Sequence, residues 1–201
     1  ARATAYICGL GYYELYINGD KIGNHILDPG FTRFDKKTLY VTYDLTQELK
    51  QGKNAFGVIL GNGWYNIQSH ATWNFHNAVW RNRPTFILNI RVEYESGKTD
   101  WIVSDESWKT STGAIRFNNL YRGEYYDAGM EPDGWNRTGF DDKKWNQAKP
   151  VECPSENIIA QSIPPIRIKE EIKAVSYKRL GPNHYVYDLG RNIAGVCRFT
   201  A

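Results

Sequence analysis

The chain has 201 residues, of which 41% are hydrophobic, with 25 Lys+Arg set against 22 Asp+Glu. That is enough apolar material to bury the core of one large or two small domains, which excludes the disordered and fibrous classes. The net charge of +3 is spread along the chain without a basic run, and no stretch approaches the roughly 20 consecutive apolar residues of a membrane span, so the chain reads as soluble, with neither nucleic acid nor a bilayer among its expected partners.

In chain order, Arg2 to Leu10 already reads as a strand, and Ala1 to Tyr6 lack the charged-then-apolar pattern of an export signal. Tyr12 to Ile17 follows with period two and meets Asn18-Gly19, a pair that tolerates the positive φ angles of a tight hairpin, before the chain resumes at Lys21-Ile22. Thr38 to Tyr43 is β-branched and aromatic, hence a strand. Leu45 to Leu49 suits a single helical turn, and the nearly continuous apolar run Ala55 to Leu60 suits a buried central strand. From Gly61 to Pro84 the chain is polar and aromatic and too long for an ordinary connection, which points to a functional loop.

Thr85 to Glu95 and Lys98 to Val103 form a second hairpin across Ser96-Gly97, and Ala114 to Phe117 and Glu124 to Asp127 read as shorter strands. Pro150, Pro154 and Pro164-Pro165 mark a linker, because proline cannot donate to a strand ladder. Beyond it Ile166 to Tyr177 and Tyr185 to Leu189 read as strands of a truncated second unit, and Val196 to Ala201 stops inside another. We therefore expect a piece of a longer protein, in which any native targeting signal would be out of view, divided into residues 1–163 and 164–201. No segment offers an amphipathic helix of three turns, so the expected fold is an all-β sandwich.

Cys8, Cys153 and Cys197 are odd in number and lack zinc spacing, so they read as buried thiols, leaning to a reducing compartment, with one disulfide as the alternative; the compartment, cytoplasmic or exported, stays unassigned. Aromatic residues make up 14% of the chain, with 7 Trp and 14 Tyr. Large flat rings serve either as filling between sheets or as stacking faces for the C–H side of a pyranose. Gly61-Asn62-Gly63-Trp64-Tyr65 is the leading sugar-site candidate: the glycines let backbone approach a ligand, Asn62 offers a donor and an acceptor to a diol, and Trp64 or Tyr65 offers a face. Its alternative reading is a sharp bend whose Trp64 plugs the end of the sandwich. Trp73, His76 and Trp80 in the long loop suit either ligand contact or packing on another domain. Glu124 and Asp127 are three apart on a strand and so face opposite ways, which suits hydrogen bonding to loop backbone better than convergent acid–base catalysis. With Tyr126 they complete the candidate set.

Several phrases then line up in order over nearly the whole chain. Ala5-Tyr6-Ile7-Cys8-Gly9-Leu10-Gly11-Tyr12-Tyr13-Glu14-Leu15-Tyr16-Ile17-Asn18-Gly19 resembles the opening of the bacterial α-L-rhamnosidase N-terminal domain, and Leu27 to Thr32, Leu60 to Tyr65, and Gly123 to Ala128 resemble later blocks of that family. Tyr187 to Gly195 is similar to the start of its next β-domain, with Arg191 where Gln is usual. The resemblance implies a jelly-roll accessory domain of the galactose-binding-like kind, without catalytic residues of its own. Its parent would be an inverting glycoside hydrolase with its acids in a later helical barrel, and its partners L-rhamnose-containing glycans and the parent's other domains. A purely structural interdomain scaffold is the alternative. Some relatives bind rhamnose with calcium, for which Asp28, Asp35, Asp141 and Asp142 are the candidate oxygen donors here. The family's Asp-Ala-Arg appears as Asp127-Ala128-Gly129, so any role of that arginine is absent or moved.

Overall fold

The computed structural model describes residues 1–70 and 72–198, and the chain divides into two compact units, Ala1–Arg167 and Ile168–Ala201. The first unit contains β1 (Arg2–Leu10), β2 (Tyr12–Ile17), β3 (Asp20–Lys21), β4 (Thr38–Asp44), β5 (Phe56–Gly61), β6 (Thr85–Glu93), β7 (Thr99–Val103), β8 (Lys109–Thr110), β9 (Ile115–Asn119), β10 (Gly123–Tyr126), β11 (Asn146–Gln147) and β12 (Ile158–Ala160). The second contains the hairpin β13 (Ser176–Gly181) and β14 (His184–Asp188).

Two sheets form the body of the first unit: one of five strands in the order β12-β4-β1-β6-β7, and one of three in the order β3-β2-β5. Period-two alternation sends Ala3, Ala5 and Ile7 of β1, Val41 and Tyr43 of β4, and Leu88 and Ile90 of β6 inward. They meet Tyr13, Leu15 and Ile17 of β2, with Phe56, Val58 and Leu60 of β5 half-buried beside them. Ile7, Leu15, Ile17, Leu88 and Ile90 are fully buried, each contributing about 1.5–3 kcal/mol of apolar burial. The all-β sandwich expected from alternation is the fold observed.

The chain passes from the first sheet to the second through one residue. Gly11 sits at φ 105° between β1 and β2, and a Cβ there would lie 2.3 Å from the Gly61 carbonyl oxygen. Asn18 (φ 53°) and Gly19 (φ 100°) turn β2 into β3 as the sequence indicates. The Asn18 side chain also donates to the Glu48 carbonyl (3.1 Å) and accepts from the Ala55 amide (3.0 Å), which ties the hairpin to the approach to β5. The β6–β7 hairpin closes across Ser96-Gly97, with Tyr94 N–H donating to the Lys98 carbonyl.

Four expectations need correcting. β5 is a terminal strand of its sheet, not a central one; its outward face is covered by Trp135, whose ring packs so closely over Gly57 that a Cβ there would lie 2.4 Å from it. The proline-marked linker contains β12, which pairs in parallel with β4. Ile166 makes one bridge with Ile26, but the strand in this region starts only at Ser176, and Val196–Arg198 are irregular, with 199–201 outside the described residues. Finally, the three thiols are free, and only Cys8 is buried.

That last difference sets an expected result. Burial pushes the Cys8 thiol up to about 11, so its thiolate is scarce at neutral pH, whereas Cys153 and Cys197 are exposed. Iodoacetamide at pH 8 should label two thiols in the native chain and three in urea, as read by mass spectrometry. Because the unfolded thiol ionises first, this group's contribution to stability declines as pH rises from about 9 towards 11.

Candidate functional site

At one end of the sandwich a second apolar cluster forms where the long loop folds back. Leu10, Phe34 and Tyr65 are buried there, with Trp64 and Trp80 half-buried against them. Outward from this base the rings continue in contact: Phe34–Tyr65 at 5.2 Å between centroids, Phe31–Phe75 at 5.4 Å, Trp64–Phe75 at 5.8 Å and Trp64–Trp73 at 6.1 Å. The turn between β9 and β10 adds Tyr121, edge-on to Trp64 at 5.7 Å. Most of these pairs are tilted or edge-to-face, which lets the positive rim of one ring meet the negative face of the next.

The outermost ring is held with some strain. Trp73 (φ 67°) and Asn74 (φ 56°) occupy the left-handed region inside the 3-10 segment Thr72–Asn77, a conformation that costs on the order of 1 kcal/mol per residue. The result is an indole that is 67% exposed yet braced from behind by Trp64 and Phe75. The same loop also carries hydrogen-bonding groups. His70 and His76 rings lie 4.3 Å apart, Asn77 and His76 are hydrogen-bonded at 3.1 Å, and the Asn119 amide donates to the Ser69 hydroxyl at 3.3 Å. Among the described residues the buried His76 Nδ1 and Trp80 Nε1 atoms find no hydrogen-bond partner.

The structure brings Trp64, Tyr65, Trp73 and Trp80 into one cluster, with Asn62 at its root. Tyr65 is 3% exposed and serves as base, not rim. Asn62 is committed to backbone geometry: its amide donates to the Asn118 carbonyl (3.1 Å) and its oxygen accepts from Asn66 (2.7 Å). Gly63 (φ 52°) passes so near the β1–β2 crossing that a Cβ would sit 3.2 Å from Tyr12 N, so these glycines serve contacts between backbones. Glu124, Tyr126 and Asp127 belong to the β10 region. Glu124 pairs in register with Asn118, the Tyr126 hydroxyl donates to Glu131 (2.8 Å), and Asp127 caps the turn Ala128–Met130 by accepting from Gly129 N–H (3.1 Å). Phe31 and Tyr121 were not anticipated as site residues. Their signals were the Phe31-Thr32-Arg33-Phe34 ring pair after a proline turn, and an aromatic inside the Asn119-to-Gly123 hairpin turn.

The four aspartates are not brought together. Asp28 is 3% exposed and accepts from the Tyr43 hydroxyl (3.1 Å), with the His25 ring at 2.6 Å. Arg33 grips Asp35 with two bonds (2.9 and 3.1 Å) and holds its carboxyl below the usual range. Lys143 lies 3.7 Å from Asp141, and Lys109 is 2.9 Å from Asp142. Among the described residues no group of three or more acidic, histidine or cysteine side chains gathers.

The site is therefore an all-β sandwich that carries a braced aromatic rim at its loop end. The comparisons with known proteins narrow this: the α-L-rhamnosidase N-terminal domain model matches residues 1–170, and the chain belongs to that family. It is 40% identical to an α-L-rhamnosidase of Formosa agariphila, over 96% of this chain and 21% of that protein, and 35% identical to one of Streptomyces avermitilis, over 98% and 19%. Among solved structures, the α-L-rhamnosidase from Dictyoglumus thermophilum superposes with a TM-score of 0.86 at 46% identity, and the Streptomyces avermitilis enzyme complexed with L-rhamnose with 0.88 at 34%; each comparison covers 96% of this chain. The chain spans about a fifth of the length of these relatives. Among the described residues no helix is long and apolar enough to cross a membrane.

Proposed function

We propose that this chain is a non-catalytic, carbohydrate-binding accessory domain of an α-L-rhamnosidase, which takes a terminal L-rhamnosyl residue on the rim formed by Trp73, Phe31 and Tyr121. The observation that carries this reading is Trp73 itself: a ring that is 67% exposed, held in a strained backbone conformation and buttressed by two other rings. A core-filling indole has no need of that arrangement, whereas the apolar face and methyl group of L-rhamnose offer matching surface. His70, Ser69 and Asn77 lie within the same loop to meet hydroxyls. The parent's rhamnose-releasing activity would reside in the remaining four-fifths of the polypeptide.

A second reading, an interdomain scaffold, draws support from a separate groove of about 1560 Å³ whose lining includes Phe56, Val58, Trp108, Trp135 and Trp145. One titration separates the two. L-rhamnose, added with and without calcium, should shift tryptophan fluorescence saturably, and Trp73→Ala should weaken binding about tenfold. Silence of the unmodified chain up to roughly tens of millimolar sugar, equivalent to under about 3 kcal/mol of binding, favours the scaffold.

A further inference from the structure

The outer face of the five-stranded sheet carries a second row of rings, remote in sequence from the loop-end cluster. Tyr40 of β4 and Tyr6 of β1 meet edge-on with centroids 6.0 Å apart, and Tyr6 and Trp101 of β7 lie 6.4 Å apart. The register explains how three distant segments align. Tyr6 stands opposite Thr42 and Asn89, and Asn89 opposite Val103, so Tyr40 and Trp101 are each one outward step from the row of Tyr6. The rings thus cross the sheet diagonally from β4 to β7, over three strand intervals or roughly 14 Å. Trp101 is 55% exposed, and Tyr6 and Tyr40 are partly so.

By register, polar side chains flank the row: Thr42 on β4, and Asn89 and Arg91 where the row passes over β6. Arg91 is held 2.9 Å from Glu93, and across the face Arg2 and Arg91 balance Asp44 and Glu93, so the surface selects neither polyanions nor polycations. At its β4 end the row opens into a cavity of about 210 Å³ lined by Tyr40, Thr42, His25, Gln161, Ile163 and Pro165. Rings in line, balanced charge and a concave end together describe a site for a hydroxyl-rich, uncharged chain molecule.

We propose that this face is a second glycan-binding surface, which holds successive residues of a neutral oligosaccharide along Trp101, Tyr6 and Tyr40 with one chain end seated in the cavity beside His25 and Gln161. It extends the proposed function from capture of a single terminal sugar to capture of the chain behind it, and only the choice of probe depends on that reading. A wholly structural face would have little reason to keep an indole more than half in water at the end of a row of rings.

The test uses the 201-residue chain and neutral α-linked L-rhamnose oligomers of one to four residues, with dissociation constants from isothermal titration. Affinity should rise about tenfold from monosaccharide to tetrasaccharide, Trp101→Ala should abolish that gain, and Trp101→Phe should retain it. Because Trp101 is exposed, its replacement should leave the melting temperature unchanged, which excludes loss by unfolding. Trp73→Ala should keep the length-dependent gain even where it removes monosaccharide binding, so failure of the loop-end reading is told apart from failure of this one. Affinity independent of oligomer length, no binding of any oligomer, or a gain that survives Trp101→Ala overturns the proposal.

Discussion

Gly11→Ala should lower the unfolding midpoint of the first unit by about 6–12 °C, corresponding to about 3 kcal/mol. Two penalties add at this position. The backbone sits at φ 105°, which an L side chain adopts only under strain, and the new methyl carbon would arrive 2.3 Å from the Gly61 carbonyl oxygen, where neither partner is a movable side chain. The two sheets must separate or the β1–β2 crossing must reshape. Gly52 provides the control: it has φ 91° but nothing within 4 Å of a Cβ, so Gly52→Ala carries the strain without the collision and should cost about 1 kcal/mol. Equal shifts for the two variants by calorimetry would contradict the packing described for the crossing.

Asp28→Ala is the second large effect, about 3–5 kcal/mol by urea unfolding. The carboxylate is 3% exposed and holds together groups from three parts of the chain: the Tyr43 hydroxyl, the His25 ring and, at 3.5 Å, the Gln161 amide. Tyr43 in turn lies 3.4 Å from the Tyr13 hydroxyl, and burial pushes both phenols well above their ordinary range. Removing the acceptor leaves several donors in a dry interior without a partner, which is the costly half of a broken network. Asp28→Asn keeps the shape and one acceptor, and should recover more than half of the loss. A cost below about 1 kcal/mol for Asp28→Ala would mean that water replaces the carboxylate freely.

The strands were legible where the sequence carries a local signal. Asn18-Gly19 and Ser96-Gly97 mark hairpins because Gly, and Asn beside it, tolerate the positive φ a tight turn needs, and the alternation in β1, β2 and β4 identifies the buried face directly. β12 carried no such signal: three residues, Ile158 to Ala160, pair with β4 more than a hundred positions away, and nothing local encodes that partner. β5 misled for a related reason. Its outward Gly57 lies under a distant Trp135, so an edge strand acquires the composition of a central one. At the loop end Trp64, Trp73 and Trp80 were legible as a group from their density in one long loop. Phe31 and Tyr121 were not, since their membership depends on how three separate turns converge, and the family resemblance named blocks without saying which rings touch.

The parallel pairing of β12 with β4 has a bearing on synthesis. As the nascent polypeptide leaves the ribosome, β1, β4, β6 and β7 can assemble once residue 103 has emerged, but the outer edge of β4 keeps its amides bare until residue 160 follows. During that interval of translation an open rim is available to any other extended chain, so a truncation before residue 158 should yield aggregates where the longer product yields monomers.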